Sequence, residues 1–375
     1  MKVVEKLQLG RLATPIPDRR RPIYNWFPLK EAFSRDLVHL LAETWGLGEG
    51  DLVLDTFCGV ATAPLACKEL GLDCVGFDVH PVLLFASQVK LRDYNVEELR
   101  AVARELVKSR FEGQEIEAPS FVTRVFSKPA LEDMAFFKRK ILEVEDEGVR
   151  DFLLLGLVNA AMDCSWAYKD GAAIKVVKRP TPPLRKALER WLYGMCSDVE
   201  KFKAGAGRGR VERCDARKLK LEDESVDAVI TSPPYLGKQE YIHAYRIEQW
   251  ILGLEGPCAD EFIGVRARDI GEEDFSEVAG FVEDKPLEAR PYFKDMLLVL
   301  RELHRVCKRG ARICFVTSDG CYPTGVVEVC ETLSKLAERA GFRAKRVIIV
   351  NRRYCTTPRR KKLGVAREGL LLWEK

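Results

Sequence analysis

The apolar run VDAVIT (226–231) runs straight into Ser232, Pro233, Pro234 and Tyr235. Proline fixes φ and has no N–H, so a pair of prolines stops a sheet ladder at once. The residue before each proline is pushed toward extended geometry as well. A strand ending this way is a stiff tip that holds a hydroxyl, two carbonyls and an aromatic ring in fixed positions. A lone Ser-Pro-Pro would mark only the start of a loop. Other pieces of the chain give it more weight. The loop after LVLDTF keeps its side chains small at Gly59, Ala61 and Thr62, so a ligand can approach the backbone. Asp78 ends the run CVGFD, where a carboxylate can accept both hydroxyls of a ribose. No G-x-G-x-x-G follows either strand, which argues against a nicotinamide dinucleotide.

The elements that must position these groups follow from periodicity. Residues 22–46 begin as an aromatic loop and become an amphipathic helix, broken by GLGEGD. LVLDTF, the helix PLACKELG and CVGFD form a strand–helix–strand unit, which implies parallel strands with helices on both faces. Residues 94–204 break the rhythm with helical segments, the last (PPLRKALERWLYGMCSDVEKF) capped by Thr181. The alternation then returns: VERCDARKL, VDAVITSPPY, a helix around 239–254, a charged irregular stretch at 257–290, and the long helix PYFKDMLLVLRELHRVCK. The strand ARICFVTSD, the helix GVVEVCETLSKLAERAG, the strand RAKRVIIVN and the closing strand GLLLWEK complete it. The expected fold is α/β, a Rossmann-like sheet with helices on both faces and a helical insertion. In an open parallel sheet, ligands bind at the carboxyl ends of strands beside the switch in strand order. The loop of Gly59, Asp78, CDA (214–216) and TSPPY all fall at such ends.

A chain of 375 residues with 47% apolar and 31% charged residues can bury an ample core. No apolar run reaches membrane-spanning length, and the first residues lack a signal-peptide core, so a cytoplasmic location is expected. Five Gln and four Asn against abundant Lys, Arg and Glu match proteins from hot environments. The net charge of +4 is mild, but DRRR (18–21), RGRVERCDARKLK (208–220) and RRYCTTPRRKK (352–362) gather it locally. Three basic clusters together suggest a nucleic-acid partner. Nothing in the sequence calls for a protein partner. Twelve Cys include no C-x-x-C pair, so most are expected as buried small apolar residues. Cys307, Cys314, Cys321 and Cys330 are close enough in sequence to contain a disulfide. His304 and Cys307 share a helix face without further ligands, and no metal is expected.

Taken together, VLDTFCGVAT, GFDVHP, CDARKL and TSPPY resemble the S-adenosylmethionine-dependent amino-methyltransferases, and within them those methylating cytosine N4. Their fourth-strand motif is Ser-Pro-Pro-Tyr, where adenine enzymes usually carry Asp-Pro-Pro-Tyr. The resemblance spans roughly 22–93 and 211–375, including RVCKRGARICFVTSD and REGLLLW. It departs from the family's D-P-F-x-G-S-G-T loop at Thr56, Val60 and Ala61. The resemblance implies a class I methyltransferase domain at 51–93 and 205–375, with residues 1–50 an N-terminal arm and helix reaching the cofactor. Residues 94–204 become a candidate substrate-recognition subdomain. It also implies S-adenosylmethionine as cofactor, with Asp55, Phe57, Gly59 and Thr62 lining its loop and Asp78 on the ribose. Asp215 and Ala216 fall at the adenine, and Lys30 and Phe33 where the family's N-terminal motif meets the cofactor.

The stiff tip then has a chemical purpose. The amino nitrogen of cytosine is a poor nucleophile because its lone pair is delocalised into the ring. Ser232 Oγ and the Pro233 carbonyl can accept its hydrogens, while Tyr235 stacks on an extruded base, as base-modifying enzymes require. Covalent carbon-5 chemistry would need a Pro-Cys nucleophile. Pro257–Cys258 lies well beyond the fourth strand, so that route is disfavoured. Other amino groups, such as guanine N2 or adenine N6, remain alternatives. Between polymers, structured RNA, ribosomal RNA in particular, is preferred here because folded RNA is read by shape and splayed bases. DNA of a restriction–modification type is the alternative. Tyr354, Arg359, Arg360, Lys361 and Lys362 follow a strand end and are the candidate nucleic-acid contacts.

Overall fold

The computed structural model describes residues 1–113, 116–170, 173–237, 244–256, 258–265, 275–356 and 362–375. In chain order, strands β1 (Lys2–Glu5), β2 (Leu52–Asp55) and β3 (Asp73–Asp78) come first. A hairpin β4 (Ala167–Asp170) and β5 (Ala173–Val176) precedes β6 (Gly209–Arg213) and β7 (Val226–Thr231). Then come β8 (Cys307–Ser318), the short pair β9 (Gly320–Tyr322) and β10 (Gly325–Val327), and the long pair β11 (Arg343–Thr356) and β12 (Lys362–Glu374).

An eight-stranded sheet has the order β1-β11-β12-β8-β7-β2-β3-β6. Its neighbours pair in parallel, except that β12 runs antiparallel to both β8 and β11. The chain winds outward from β2 through β3 to β6, then returns to start β7 and β8 on the other side. The switch in strand order therefore lies between β2 and β7, which pair at Val53↔Ala228.

Alternation along each strand sends side chains to two cores. Val53, Ile230 and Cys314 pack on one face with α1 (Arg35–Trp45) and α2 (Thr62–Leu70). Their neighbours Leu54, Val229 and Ile313 pack on the other, with the helices Arg290–Val306 and Val329–Arg339. The expected α/β sheet with helices on both faces is what forms.

The block 94–204 is largely helical, as expected. Val96–Lys108, Lys128–Leu142, Glu147–Asp163 and Leu184–Lys201 bury their apolar faces in one shared cluster, in which Glu147–Asp163 packs on α3 (Pro81–Leu91). Two details differ from the sequence reading. The run VRDFLLLGLVNAAMDCSWAY (149–168) is helical in period throughout, but the helix stops at Asp163 and the chain turns into the β4–β5 hairpin. Leu184–Lys201 begins after Pro183, not Thr181, and no side chain caps it. The N-terminal segment packs on this block: Asn159 Nδ2 donates to the Trp26 carbonyl at 2.6 Å and Trp26 Nε1 donates to Asp198 at 3.1 Å.

The cysteine expectation is corrected too. Cys321 bonds to Cys355, while Cys307, Cys314 and Cys330 are free and buried. Cys355 sits too far along the chain for sequence proximity to have suggested it. No described helix is long and apolar enough to cross a membrane.

Candidate active site

A cleft of about 880 Å³, counted to its open mouth, lies over the carboxyl ends of β2, β3 and β7. Asp55, buried at the end of β2, accepts from the Thr231 hydroxyl at 2.6 Å and from the Phe57 N–H at 3.2 Å. This bond fastens β2 to β7 just before Ser232, so the two strand ends cannot drift apart. Burial pushes the Asp55 carboxyl up to about 7. Thr231 was not expected as a site residue. Its buried position in the motif is the only signal the sequence offered.

Asp78 lines the cleft at the end of β3. Its oxygens accept the N–H groups of Gly59 (2.8 Å), Val79 (2.8 Å) and His80 (2.9 Å). Burial raises its pKa to about 6, even though those three donors favour the charged form. The Gly59 bond ties the small-residue loop to β3. Gly59 has φ +50°, a region glycine enters most easily, and a Cβ there would lie 2.7 Å from Leu29 Cδ2, so any other residue would have to displace that side chain. Ala61, where the family pattern has glycine, takes φ 62° and leads into α2. The loop thus keeps its glycine-like backbone without the glycine.

On the β7 side, Ser232 and both prolines line the cleft. The Ser232 hydroxyl makes no hydrogen bond among the described residues, although the residue is half-buried. Tyr235 also lines the cleft, and its hydroxyl donates to Glu368 Oε1 at 2.9 Å. Glu368, which burial pushes above the ordinary carboxylate range, sits on β12 opposite Ser318 of β8 and Asn351 of β11. Sequence reasoning missed it because the partner of Tyr235 lies 133 residues away.

The structure brings together Asp55, Phe57, Gly59, Thr62, Asp78, Phe33 and Ala216 with the Ser-Pro-Pro-Tyr tip around one cleft. Two expected cofactor residues lie elsewhere. Lys30 turns away to donate to the Lys169 carbonyl at 3.4 Å, in a second chamber between the N-terminal segment and the insertion. Asp215 is gripped by its own neighbour Arg217, at 3.0 Å from Nε and 2.6 Å from Nη2, and does not line the cleft. Phe262 and Ile263 close the cleft on that side, and His80 stands beside them with its ring 6.3 Å from Phe262. Cys258 is exposed and away from the cleft. The two cysteines that do line it, Cys58 and Cys214, are pushed up by burial, so neither offers a thiolate.

Beyond Glu368 the pair β11–β12 runs on past the sheet as a two-stranded arm, since β8 ends at Ser318. Its root is locked by Asp319, which accepts from the Arg367 backbone and side chain, and by the Cys321–Cys355 bond. Tyr354 is 64% exposed on this arm, with Lys362 Nζ 4.2 Å from its ring centroid. Arg359, Arg360 and Lys361 lie outside the described residues.

No family model matches the chain. It is 25% identical to Type II methyltransferase M.BsoBI of Geobacillus stearothermophilus, over 96% of this chain and 86% of that protein. Type II methyltransferase M.AvaI of Nostoc is 23% identical, over 89% of this chain and 82% of its own length. Among solved structures, a SAM-dependent methyltransferase of Methanosarcina mazei aligns with a TM-score of 0.33 and 10% identity, over 89% of this chain and 96% of that one.

Proposed function

We propose that this protein is an S-adenosylmethionine-dependent methyltransferase that modifies cytosine N4 in DNA. S-adenosylmethionine is the cofactor, and when bound it supplies an electrophilic methyl group. The observation that carries the reading is the uncommitted Ser232 hydroxyl on its proline-stiffened strand end, across one cleft from Asp78 and the Gly59 loop.

The chain's own residues divide the work. Asp78, its carboxylate already aligned by three N–H groups, accepts the ribose hydroxyls. Gly59 leaves the room beside them. Ser232 and the Pro233 carbonyl accept hydrogens from the cytosine amino group, which turns its lone pair toward the methyl carbon. Tyr235, fixed by Glu368, offers its ring to the extruded base. The methylated amino group gives up one proton to water at the open mouth of the cleft. Most of the acceleration then comes from alignment.

The substrate moves from the structured RNA expected from sequence to DNA. Two relatives that match over most of their lengths are named Type II methyltransferases, a designation for restriction–modification systems. Ser232, where adenine enzymes usually carry aspartate, supports cytosine.

Tritiated methyl transfer to duplex DNA and to ribosomal RNA, followed by mass spectrometry of the nucleosides, is the test. N4-methyldeoxycytidine is expected. Exclusive labelling of RNA, or 5-methylcytosine or N6-methyladenine as product, overturns the reading.

A further inference from the structure

We propose that the Cys321–Cys355 bond is a positioning element of the Ser-Pro-Pro-Tyr tip, and that its reduction slows methyl transfer without releasing the cofactor. The proposal rests on the function above, since methyl transfer is the step it tunes. The bond crosses from β9 to β11 and joins residues 34 apart in sequence. The other ten of the twelve cysteines are free.

β9 stands between the arm and the tip. The two residues that flank Cys321 meet the two that follow Tyr235. A Cβ on Gly320 would lie 2.9 Å from Leu236 Cδ2, so that buried side chain rests directly on the β9 backbone. A Cβ on Gly237 would lie 3.6 Å from the Tyr322 hydroxyl oxygen, so the tyrosine covers this next residue. Leu236 and Tyr322 also share one apolar cluster. On the arm side, β10 presses Val326 against β12, where a Cβ on Gly364 would lie 2.7 Å from Val326 Cγ2.

The cross-link matters because both partners are weakly held without it. β9 and β10 have three residues each and pair with each other, and so small a ribbon is marginal on its own. Pro233 and Pro234 have no N–H to give, so side-chain contacts must place the tip beyond them. Tyr235 is held by Glu368 of β12, and Leu236 is seated on β9. Two holds on the tip thus trace back to the arm, one through β12 directly and one through the cystine.

Cys321 is exposed and Cys355 buried, so a dithiol reductant approaches from β9. Its thiolate attacks Cys321 Sγ, the S–S bond breaks, and the electron pair leaves on Cys355 Sγ, which takes up a proton. The second thiolate of the reductant then displaces Cys321, giving two protein thiols and a cyclic disulfide. Leu236 loses its fixed seat, and the alignment of Ser232 and Tyr235 loosens with it. Asp78 and the Gly59 loop lie on β3 and β2 and keep their bonds.

Iodoacetamide labelling of the unfolded, unreduced chain should mark ten cysteines, and twelve after dithiothreitol. Methyl NMR of leucine-labelled protein then reads Leu236, whose signals should shift on reduction. Reduced wild type and Cys321→Ser are each expected to lose about tenfold in kcat on duplex DNA, the scale of a modest misalignment, with KM and calorimetric cofactor affinity unchanged. Reoxidation should restore the wild type, and dithiothreitol should leave Cys321→Ser as it is. Twelve labels before reduction, unmoved Leu236 signals, or full turnover in both reduced wild type and Cys321→Ser overturn the proposal. An equal effect of the reductant on Cys321→Ser overturns it as well. A wild type whose Leu236 responds to reduction but which methylates no DNA fells the function above, while the hold of the cystine on the tip stands.

Discussion

At the residue, the proposed chemistry turns on one hydroxyl and one carboxylate. Ser232→Ala should lower kcat about a hundredfold, the scale of a missing preorganised hydrogen-bonding group, with the melting temperature unchanged. Cys258→Ser should leave turnover intact. Steady-state kinetics of both variants, with the reverse pattern as the refuting one, decides it. Asp78 carries a pH signature. Ribose hydroxyls donate best to an ionised carboxylate, and burial holds this one near a pKa of about 6. Cofactor affinity should therefore weaken as pH falls through 6 and level off above about 7. Asp78→Asn should remove that dependence and cost about 1.5–3 kcal/mol at neutral pH, read by calorimetry across pH. Without cofactor the sign is opposite. The raised pKa values of Asp55 and Asp78 contribute stability that is present below about 4 and lost as pH rises toward 6 and 7. Much of this was legible in the sequence, since Asp55, Asp78 and Ser232 take their places from the strand they end. Lys30 and Asp215 were not, because the direction of a side chain depends on partners such as Lys169 and Arg217 that spacing does not reveal.

Among the elements, two connections explain why the cleft holds its shape. Lys90 on α3 reaches the carbonyls of Tyr24, Phe27 and Val60 at 3.2, 3.3 and 3.4 Å, and burial lowers its pKa to about 7. One ammonium thus joins the aromatic loop to the cofactor loop. Lys90→Met keeps the stem but strands three carbonyls, and should cost at least about 2 kcal/mol in urea denaturation. Glu368 is a positioning residue, acting through Tyr235. Glu368→Gln weakens that hold and should lower kcat about tenfold without changing cofactor affinity, much as Tyr235→Phe does. Because both changes act on the same hydrogen bond, the double variant should be no worse than Tyr235→Phe alone, a cycle that separates positioning from general damage. The sheet strands and long helices were readable from apolar period alone. The β4–β5 hairpin was hidden by the apolar helix that flows into it. The extent of β11 and β12 was hidden as well, since their outer halves are polar and pair only with each other.

For the whole molecule, the arm and the catalytic sheet form one continuous structure, which ties substrate approach to chemistry. Tyr354→Ala combined with Lys362→Gln should weaken binding to every DNA sequence by a similar factor. The slope of log affinity against log salt should fall by about 0.9 for each phosphate that the variant no longer neutralises. Filter binding over a salt series measures this, and an unchanged slope would return the arm to ordinary solvated surface. The sheet has a further consequence at its far edge. β1 lies parallel to β11, with Lys2 opposite Arg346 and Glu5 opposite Ile349. A strand synthesised before the catalytic ones is thus bound to one synthesised after them. Until β11 is made, residues 2–5 have no place in the sheet, and the catalytic strands β2, β3 and β7 can assemble without them. Completion of the edge is therefore a late event in biosynthesis, separable from formation of the cleft. A chain lacking residues 2–5 should keep its cofactor affinity, yet present the open edge of β11 as a template on which a second chain can dock.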